Sequence, residues 1–281
     1  MKKILITGAT GFVGSALIRA LSKNHNVIGT DNHEGEGVSV LWDLRHDLSK
    51  TSLPETADVI IHSGGLVGAS QAHTPDDYYR INARSCRQLA DYANSAGTSQ
   101  FIYFSTGAVH GEHTGFSTED TALAPVGAYA VSKAQGELEL YRLAGTMNLV
   151  IARLYFPYGP GQTGRFIPNL ITSIRTDCAV RLNNKEGSPR LNPVYITDLV
   201  AGVTALVEKG LSGTWNFAGP DEVTVRELAE IIGRLLDKKI VFEEGEMEPF
   251  DFLGDTSRLR SLLGGRKMVG LEEGLAQVVR G

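Results

Sequence analysis

Short, continuously apolar runs recur along the first half of the chain, at Ile4–Thr7, Val27–Thr30, Val38–Trp42, Val59–His62, Phe101–Phe104 and Leu149–Arg153. Runs that are apolar throughout, rather than alternating, suit strands covered on both faces, as in a parallel sheet. Between them the period lengthens to that of helices. Val13, Ala16, Leu17, Ala20 and Leu21 fall on one helical face. Thr74-Pro75-Asp76-Asp77 supplies an N-cap, a first-turn proline and two acids for a second helix. That helix should carry Ile81, Leu89 and Ala93 inward and stop at Gly97. Another helix is predicted from about Ala128 to Ala144, with Val131, Ala134 and Leu138 on one face. Strands alternating with helices in this way predict an α/β protein, a doubly wound parallel sheet with right-handed crossovers.

The rhythm loosens after Arg153. Tyr158-Gly159-Pro160-Gly161-Gln162 reads as a loop, and irregular apolar segments follow as far as Asn192-Pro193-Val194-Tyr195. A capping box, Thr224 to Glu227, opens an amphipathic helix bearing Leu228, Ile232, Leu235 and Leu236. The expected organisation is a first domain over residues 1–157, with 191–219 returning to it, and a smaller C-terminal lobe made of 158–190 and 220–281. The 281 residues are 42% hydrophobic and 21% charged, enough for one or two domains with a sizeable core. A net charge of −5 without Lys/Arg runs argues against a nucleic-acid partner or a membrane-binding patch. The apolar run Ile4-Leu5-Ile6 breaks at once into Thr7-Gly8, too short for a signal peptide or a membrane span. Cys86 and Cys178 are far apart and form no CxxC, which fits reduced thiols. These features predict a cytoplasmic location.

The first predicted strand runs into Thr7-Gly8-Ala9-Thr10-Gly11-Phe12-Val13-Gly14, and a helix follows. A tight strand-to-helix turn needs unusual backbone angles, and close approach of a pyrophosphate leaves no room for Cβ. The helix N-terminus then offers N–H groups and a positive dipole end to phosphates. The spacing is GxxGxxG, one residue wider than the common GxGxxG. Asp31 closes the second strand, 17 residues beyond Gly14, where an acid can bind the adenosine ribose hydroxyls. Such an acid repels a 2′-phosphate and has no arginine beside it, so NAD is preferred over NADP.

Tyr129-Ala130-Val131-Ser132-Lys133 sets a phenol and an amine four residues apart, on one side of a helix. A YxxxK match is common by chance; here it opens the helix that follows the Phe101–Phe104 strand. With the glycine loop, it makes the chain resemble the extended short-chain dehydrogenases, the NAD-dependent epimerase/dehydratase family. The resemblance runs from TGATGFVG to the GTWNFAGP segment and the last helix, and GxxGxxG is that family's spacing.

The resemblance implies a Rossmann domain with a substrate-binding lobe, Tyr129 as general acid/base, and Lys133 as the group that favours the phenolate and holds the nicotinamide ribose. A free tyrosine, with a pKa of about 10, needs such help near neutral pH. Within Phe104-Ser105-Thr106-Gly107-Ala108-Val109-His110-Gly111, Thr106 falls on the hydroxyl that polarises the substrate oxygen, with Ser105 as the alternative. Gly8, Thr10, Gly11, Phe12, Val13, Gly14 and Asp31 would bind the cofactor. So would Asp43-Leu44 at adenine, Ser63-Gly64-Gly65 beneath the dinucleotide after His62, and Asn82 on the second helix. The resemblance also implies a homodimer through paired long helices.

Four departures shape the functional expectation. Gly107-Ala108 replaces the Asp-Glu pair of the family's dehydratases, which counts against a sugar 4,6-dehydratase. Phe156 stands where sugar-nucleotide epimerases carry an asparagine near the diphosphate. Leu191 stands at their phosphate-gripping arginine, with Arg190 adjacent and Arg165 as another phosphate partner. His110 replaces the tyrosine that usually precedes Gly111. His110-Gly111-Glu112-His113 has no further Cys or His cluster nearby, so no metal site is expected. The expectation is an NAD-dependent oxidoreductase or epimerase acting on a sugar, in the first place a nucleotide sugar, at a hydroxyl or ketone. The alternatives are a dehydrogenase or ketone reductase on a non-nucleotide sugar or small ketone, and a non-catalytic dinucleotide-binding sensor.

Overall fold

The computed structural model describes residues 1–48, 52–68, 70, 72–143 and 145–280. Along the chain its elements are β1 (Lys3–Thr7), α1 (Phe12–Leu21), β2 (Asn26–Asp31), β3 (Val38–Leu41), β4 (Val59–His62), α2 (Pro75–Tyr79), α3 (Ser85–Ser95), β5 (Gln100–Thr106), β6 (Phe116–Ser117), α4 (Gly127–Leu140) and β7 (Asn148–Leu154). There follow α5 (Phe166–Arg175), β8 (Val180–Leu182), β9 (Arg190–Leu191), α6 (Ile196–Lys209), β10 (Gly213–Phe217), β11 (Val223–Thr224), α7 (Val225–Leu236), β12 (Phe242–Glu244), β13 (Asp251–Gly254), α8 (Ser257–Leu262) and α9 (Leu271–Arg280). Ala144 and Gly281, the expected ends of the tyrosine-bearing helix and of the C-terminal lobe, lie outside the described residues.

Two compact units divide the chain. The first comprises Met1–Gly111, Ala122–Arg153 and Val200–Trp215; the second comprises Glu112–Thr121, Leu154–Leu199 and Asn216–Gly281. The second thus takes 112–121, a stretch that the pattern leaves inside the first domain. The cause is long-range: β6 pairs with β13, Phe116 opposite Leu253, and local periodicity carries no trace of such a partner. The division also falls within α6, at Leu199, so 191–219 does not return to the first unit as one piece.

The first unit is built on a seven-stranded sheet in the order β10-β7-β5-β4-β1-β2-β3. Parallel pairing runs from β3 through β2, β1 and β4 to β5. The chain leaves β1 on one side for β2 and β3, then returns on the other for β4 and β5. The switch point at the carboxyl ends of β1 and β4 is where doubly wound sheets bind ligands. Ile4–Ile6, Val59–Ile61 and Phe101–Tyr103 are all 0% exposed, which is why these runs carry no polar alternation.

Two helices depart from the predicted pattern. Thr74 and Asp77 form a reciprocal capping box at α2, as expected, but a π turn, Arg80–Arg84, separates α2 from α3. The wider turn alters the helical register, so Asn82 and Ala83 are buried while Ile81 is only partly so. On α4 the buried face carries Ala130, Lys133, Ala134, Glu137 and Leu140; Val131 and Leu138 are exposed. The apolar positions mislead here because two ionisable residues occupy the inward face.

The second unit has a four-stranded sheet, β11-β9-β13-β6, and a two-stranded one, β12-β8. The Thr224–Glu227 capping box opens α7, whose Leu228 and Ile232 are buried. No helix among the described residues is long and apolar enough to cross a membrane.

Candidate active site

The turn after β1 is compact because its glycines touch one another. Gly8 has φ +69°, and a Cβ on Gly14 would lie 2.0 Å from the Gly8 carbonyl oxygen. A Cβ on Gly8 would lie 2.7 Å from the Gly64 backbone, so the floor after β4 closes on the same turn. No side chain caps α1 at Gly11, and its first turn holds no acid. The N–H groups of Phe12, Val13 and Gly14 therefore form the positive end of the helix without competition from the protein's own carboxylates. Thr10 binds Asp31 from this loop, donating from its backbone N (2.9 Å) and Oγ1 (2.7 Å) to Oδ2. Thus the loop and the acid at the end of β2 are one constellation, and this cradle fits a dinucleotide.

Asp43 pairs with Arg45, whose guanidinium holds the carboxyl below the usual range. Leu44 reaches toward Gly64: its Cδ1 would be 3.0 Å from a Cβ there. Beneath the turn, the Ser63 hydroxyl donates to the Thr7 carbonyl. Gly64 N–H donates to Thr7 Oγ1, 2.6 Å from His62 Nδ1. On the other side of the ring, Nε2 lies 3.1 Å from Ser85 Oγ, whose own proton goes to the Ile81 carbonyl. Nε2 must therefore be the donor, and in the neutral ring Nδ1 accepts from the Thr7 hydroxyl. Burial above all, and then the charge of Lys133, push His62 down to about 3.

Asn82 joins three segments. Its Oδ1 accepts from Leu66 N (2.8 Å), and its Nδ2 donates to Leu66 O and to Ser132 Oγ on α4. A Cβ on Gly65 would lie 2.7 Å from Asn82 Oδ1 and 3.9 Å from Lys133 Nζ. Gly65, Asn82 and Lys133 therefore meet at the carboxyl end of β4. Lys133 is 6% exposed, with Nζ 4.3 Å from the centre of the Tyr103 ring. Burial lowers it to about 8, so the ammonium still predominates at neutral pH. Tyr129 lies one turn earlier and is half-buried. Thr106, at the end of β5, accepts from Ala108 N at 3.3 Å, which leaves its own O–H to donate.

Several participants escaped the sequence reading. In the sequence Tyr103 is only one member of an apolar run, yet it stacks on His62 (5.6 Å between ring centres) and lies under Lys133. Buried Glu137 and Arg153 pair through two hydrogen bonds, 3.2 and 2.9 Å. Two signals were available: a third polar residue at four-residue spacing after Tyr129 and Lys133, and an arginine at the end of the apolar run Leu149–Ala152.

Of the four expected substrate residues, Thr106 lies in the first unit and Phe156, Arg165 and Arg190 lie in the second. Phe156 adopts φ +44° and packs its ring 5.8 Å from Phe166 and 6.1 Å from Phe252. Arg165 is the N-cap residue of α5. Arg190 makes a bidentate pair with Asp251 (2.9 and 2.7 Å) and also reaches Glu222, while Leu191 is fully buried. No cluster of three or more metal-ligating acids, histidines or cysteines occurs among the described residues.

A switch-point cradle for a dinucleotide beside a buried lysine defines a cofactor-dependent enzyme of the short-chain dehydrogenase class. The chain belongs to the NAD-dependent epimerase/dehydratase family, which it matches over residues 4–218. It is 27% identical to an uncharacterised UDP-glucose epimerase, YtcB, of Bacillus subtilis, covering 99% of this chain and 96% of that protein. The UDP-glucuronic acid 4-epimerase of Bacillus cereus, solved with UDP-glucuronic acid and NAD, superposes with a TM-score of 0.84. Its identity is 25%, over 99% of this chain and 98% of that one. DesIV, a dTDP-glucose 4,6-dehydratase from Streptomyces venezuelae, has a TM-score of 0.85 at 23% identity, covering 99% of this chain and 96% of that one.

Proposed function

We propose that this protein is an NAD-dependent epimerase of a nucleotide sugar, with Tyr129, Lys133 and Thr106 handling the reacting oxygen. The observation that carries the reading is the buried Lys133, meeting Asn82 and Gly65 one helical turn from Tyr129. The Gly8–Gly14 turn, the α1 N-terminus and Asp31 would hold the cofactor, and NAD when bound supplies reversible hydride acceptance. Tyr129 takes the proton from a sugar hydroxyl and returns it. Lys133, still an ammonium at neutral pH, favours the phenolate. The Thr106 hydroxyl donates to the same substrate oxygen, steadying it as it changes between hydroxyl and carbonyl. The UDP-sugar chemistry of the similar proteins supports the substrate class. Gly107 and Ala108 supply neither acid nor base for eliminating water, which supports epimerisation over 4,6-dehydration; likeness of fold to DesIV does not weigh against this.

Turnover of UDP-glucuronic acid and UDP-glucose by NAD-loaded protein tests the mechanism. Tyr129→Phe should lower kcat by about 10²-fold or more; a variant as fast as the wild type would refute the role. Epimerisation leaves the nicotinamide absorbance unchanged at completion, whereas net oxidation or reduction shifts it.

A second reading, a dehydrogenase or reductase on a non-nucleotide sugar or ketone, is favoured by the second unit. Phe156 lies among phenylalanines, and Arg190 is already held by two carboxylates. Thermal shifts separate the two readings, because a ligand of the folded state raises Tm. UDP should stabilise the NAD-loaded protein; no shift with UDP, dTDP, GDP or CDP would favour the second reading.

We also read the protein as a cytoplasmic homodimer. The exposed apolar side chains of Val131, Leu138 and Tyr141, on and just after α4, support a second copy of the chain as their cover.

A further inference from the structure

Glu137 follows Lys133 on α4 at the spacing that separates Lys133 from Tyr129, so the three share one side of the helix. It is fully buried, and its carboxylate has two kinds of partner. The Ser105 hydroxyl donates to Oε1, and the Arg153 guanidinium donates to both oxygens. The far side of that guanidinium faces a histidine: Arg153 Nη1 lies 3.3 Å from His110 Nε2. A guanidinium has only donors, so Nε2 must accept and the imidazole must be neutral, with its proton on Nδ1. Nδ1 lies 3.2 Å from the Ala122 carbonyl, which accepts it. His110 is 3% exposed and ends the short turn Gly107–His110, for which Thr106 is the N-cap. The segment from Ser105 to His110 is thus held at Ser105 by Glu137 and at His110 by Arg153, both ends fastened to one buried ion pair.

We infer that His110 is a positioning residue: its neutral imidazole ties the turn carrying the Thr106 hydroxyl, through Arg153 and Glu137, to the side of α4 that carries Tyr129 and Lys133. The inference rests on the proposed roles of Thr106 and Tyr129 at the reacting oxygen. A tyrosine, which the family usually has before this glycine, meets its surroundings through one oxygen. The imidazole bridges through two atoms, accepting from Arg153 at one and donating to Ala122 at the other. The placement of Thr106 relative to Tyr129 then depends on the side chain at the other end of the turn.

Two measurements test it. The first needs no substrate: long-range ¹⁵N–¹H spectra of histidine-labelled protein, with His110 assigned by comparison with His110→Gln. A bare Nε2 and a protonated Nδ1 near neutral pH are expected; an Nε2–H tautomer or an imidazolium would overturn the inference. The second is kinetic, with the nucleotide sugar that the wild type turns over. His110→Phe should lower kcat about tenfold or more, leaving KM and NAD affinity within about twofold, because misplacement costs rate rather than binding. His110→Gln, whose amide can accept from Arg153, should recover most of that loss. Equal kcat in His110→Phe and wild type, or a loss that glutamine does not repair, would also overturn it. A wild type inert on every nucleotide sugar would sink the proposed function, while the tautomer would still decide the role of His110.

Discussion

His62 shows how a single side chain can be polar, buried and satisfied. Its ring carries a relay from Gly64 N–H through Thr7 to Ser85 and the Ile81 carbonyl, and every proton has one place to go. The neutrality that this requires has a consequence for stability. An unfolded histidine titrates near 6.5, whereas burial holds His62 at about 3. Between those values the unfolded chain binds a proton that the folded protein refuses. The stabilisation is complete above about pH 6.5 and is lost as pH falls toward 3. Urea unfolding of wild type and His62→Gln should therefore converge on acidification, by up to about 1.4 kcal/mol per pH unit below 6. Stability curves that stay parallel from pH 7 to about 4 would show that the ring is not held neutral.

At the scale of elements, α4 is placed by a close approach that only a glycine allows. A Cβ on Gly136 would lie 2.4 Å from the Tyr103 hydroxyl and 2.6 Å from the Asn82 carbonyl. Asn82 sits in the π turn, so the helix carrying Tyr129 and Lys133 beds directly against the segment that holds the dinucleotide floor. Gly136→Ala should cost about 1–3 kcal/mol, despite alanine's better helix propensity, because backbone on the facing side cannot yield. Thermal or denaturant unfolding measures this, and a stabilised variant would contradict the packing. The π turn and Gly136 share a cause that no pattern along the chain reveals: each answers to a neighbour dozens of residues away.

At the scale of the whole molecule, the exposed side of α4 bears on assembly. Leu138 is 63% exposed and Val131 38%, while the opposite side holds Lys133 and Glu137. Leu138→Glu should turn the proposed dimer into a monomer in sedimentation velocity without unfolding it. A wild type that already sediments as a monomer would end that proposal. The division of the chain into two units has its own lesson. The N-terminal boundary elements were legible, since all six predicted strands occur, and so was the capping box of α7. Residues 112–121 were misassigned because two-residue strands have no period to detect, and their place depends on pairing with β13.

What the chain determines by itself is whatever short-range physics expresses. Continuous apolar runs make buried parallel strands, Thr74 and Thr224 cap their helices, and the glycines after β1 turn tightly beside Asp31. Tertiary structure alone decides which face of α4 is inside, because the burial of Lys133 and Glu137 depends on partners elsewhere in the fold: Tyr103, Ser105 and Arg153. A charge enters a core only where distant segments converge to satisfy it, and hydrophobic periodicity, which scores each residue alone, reads such positions as surface.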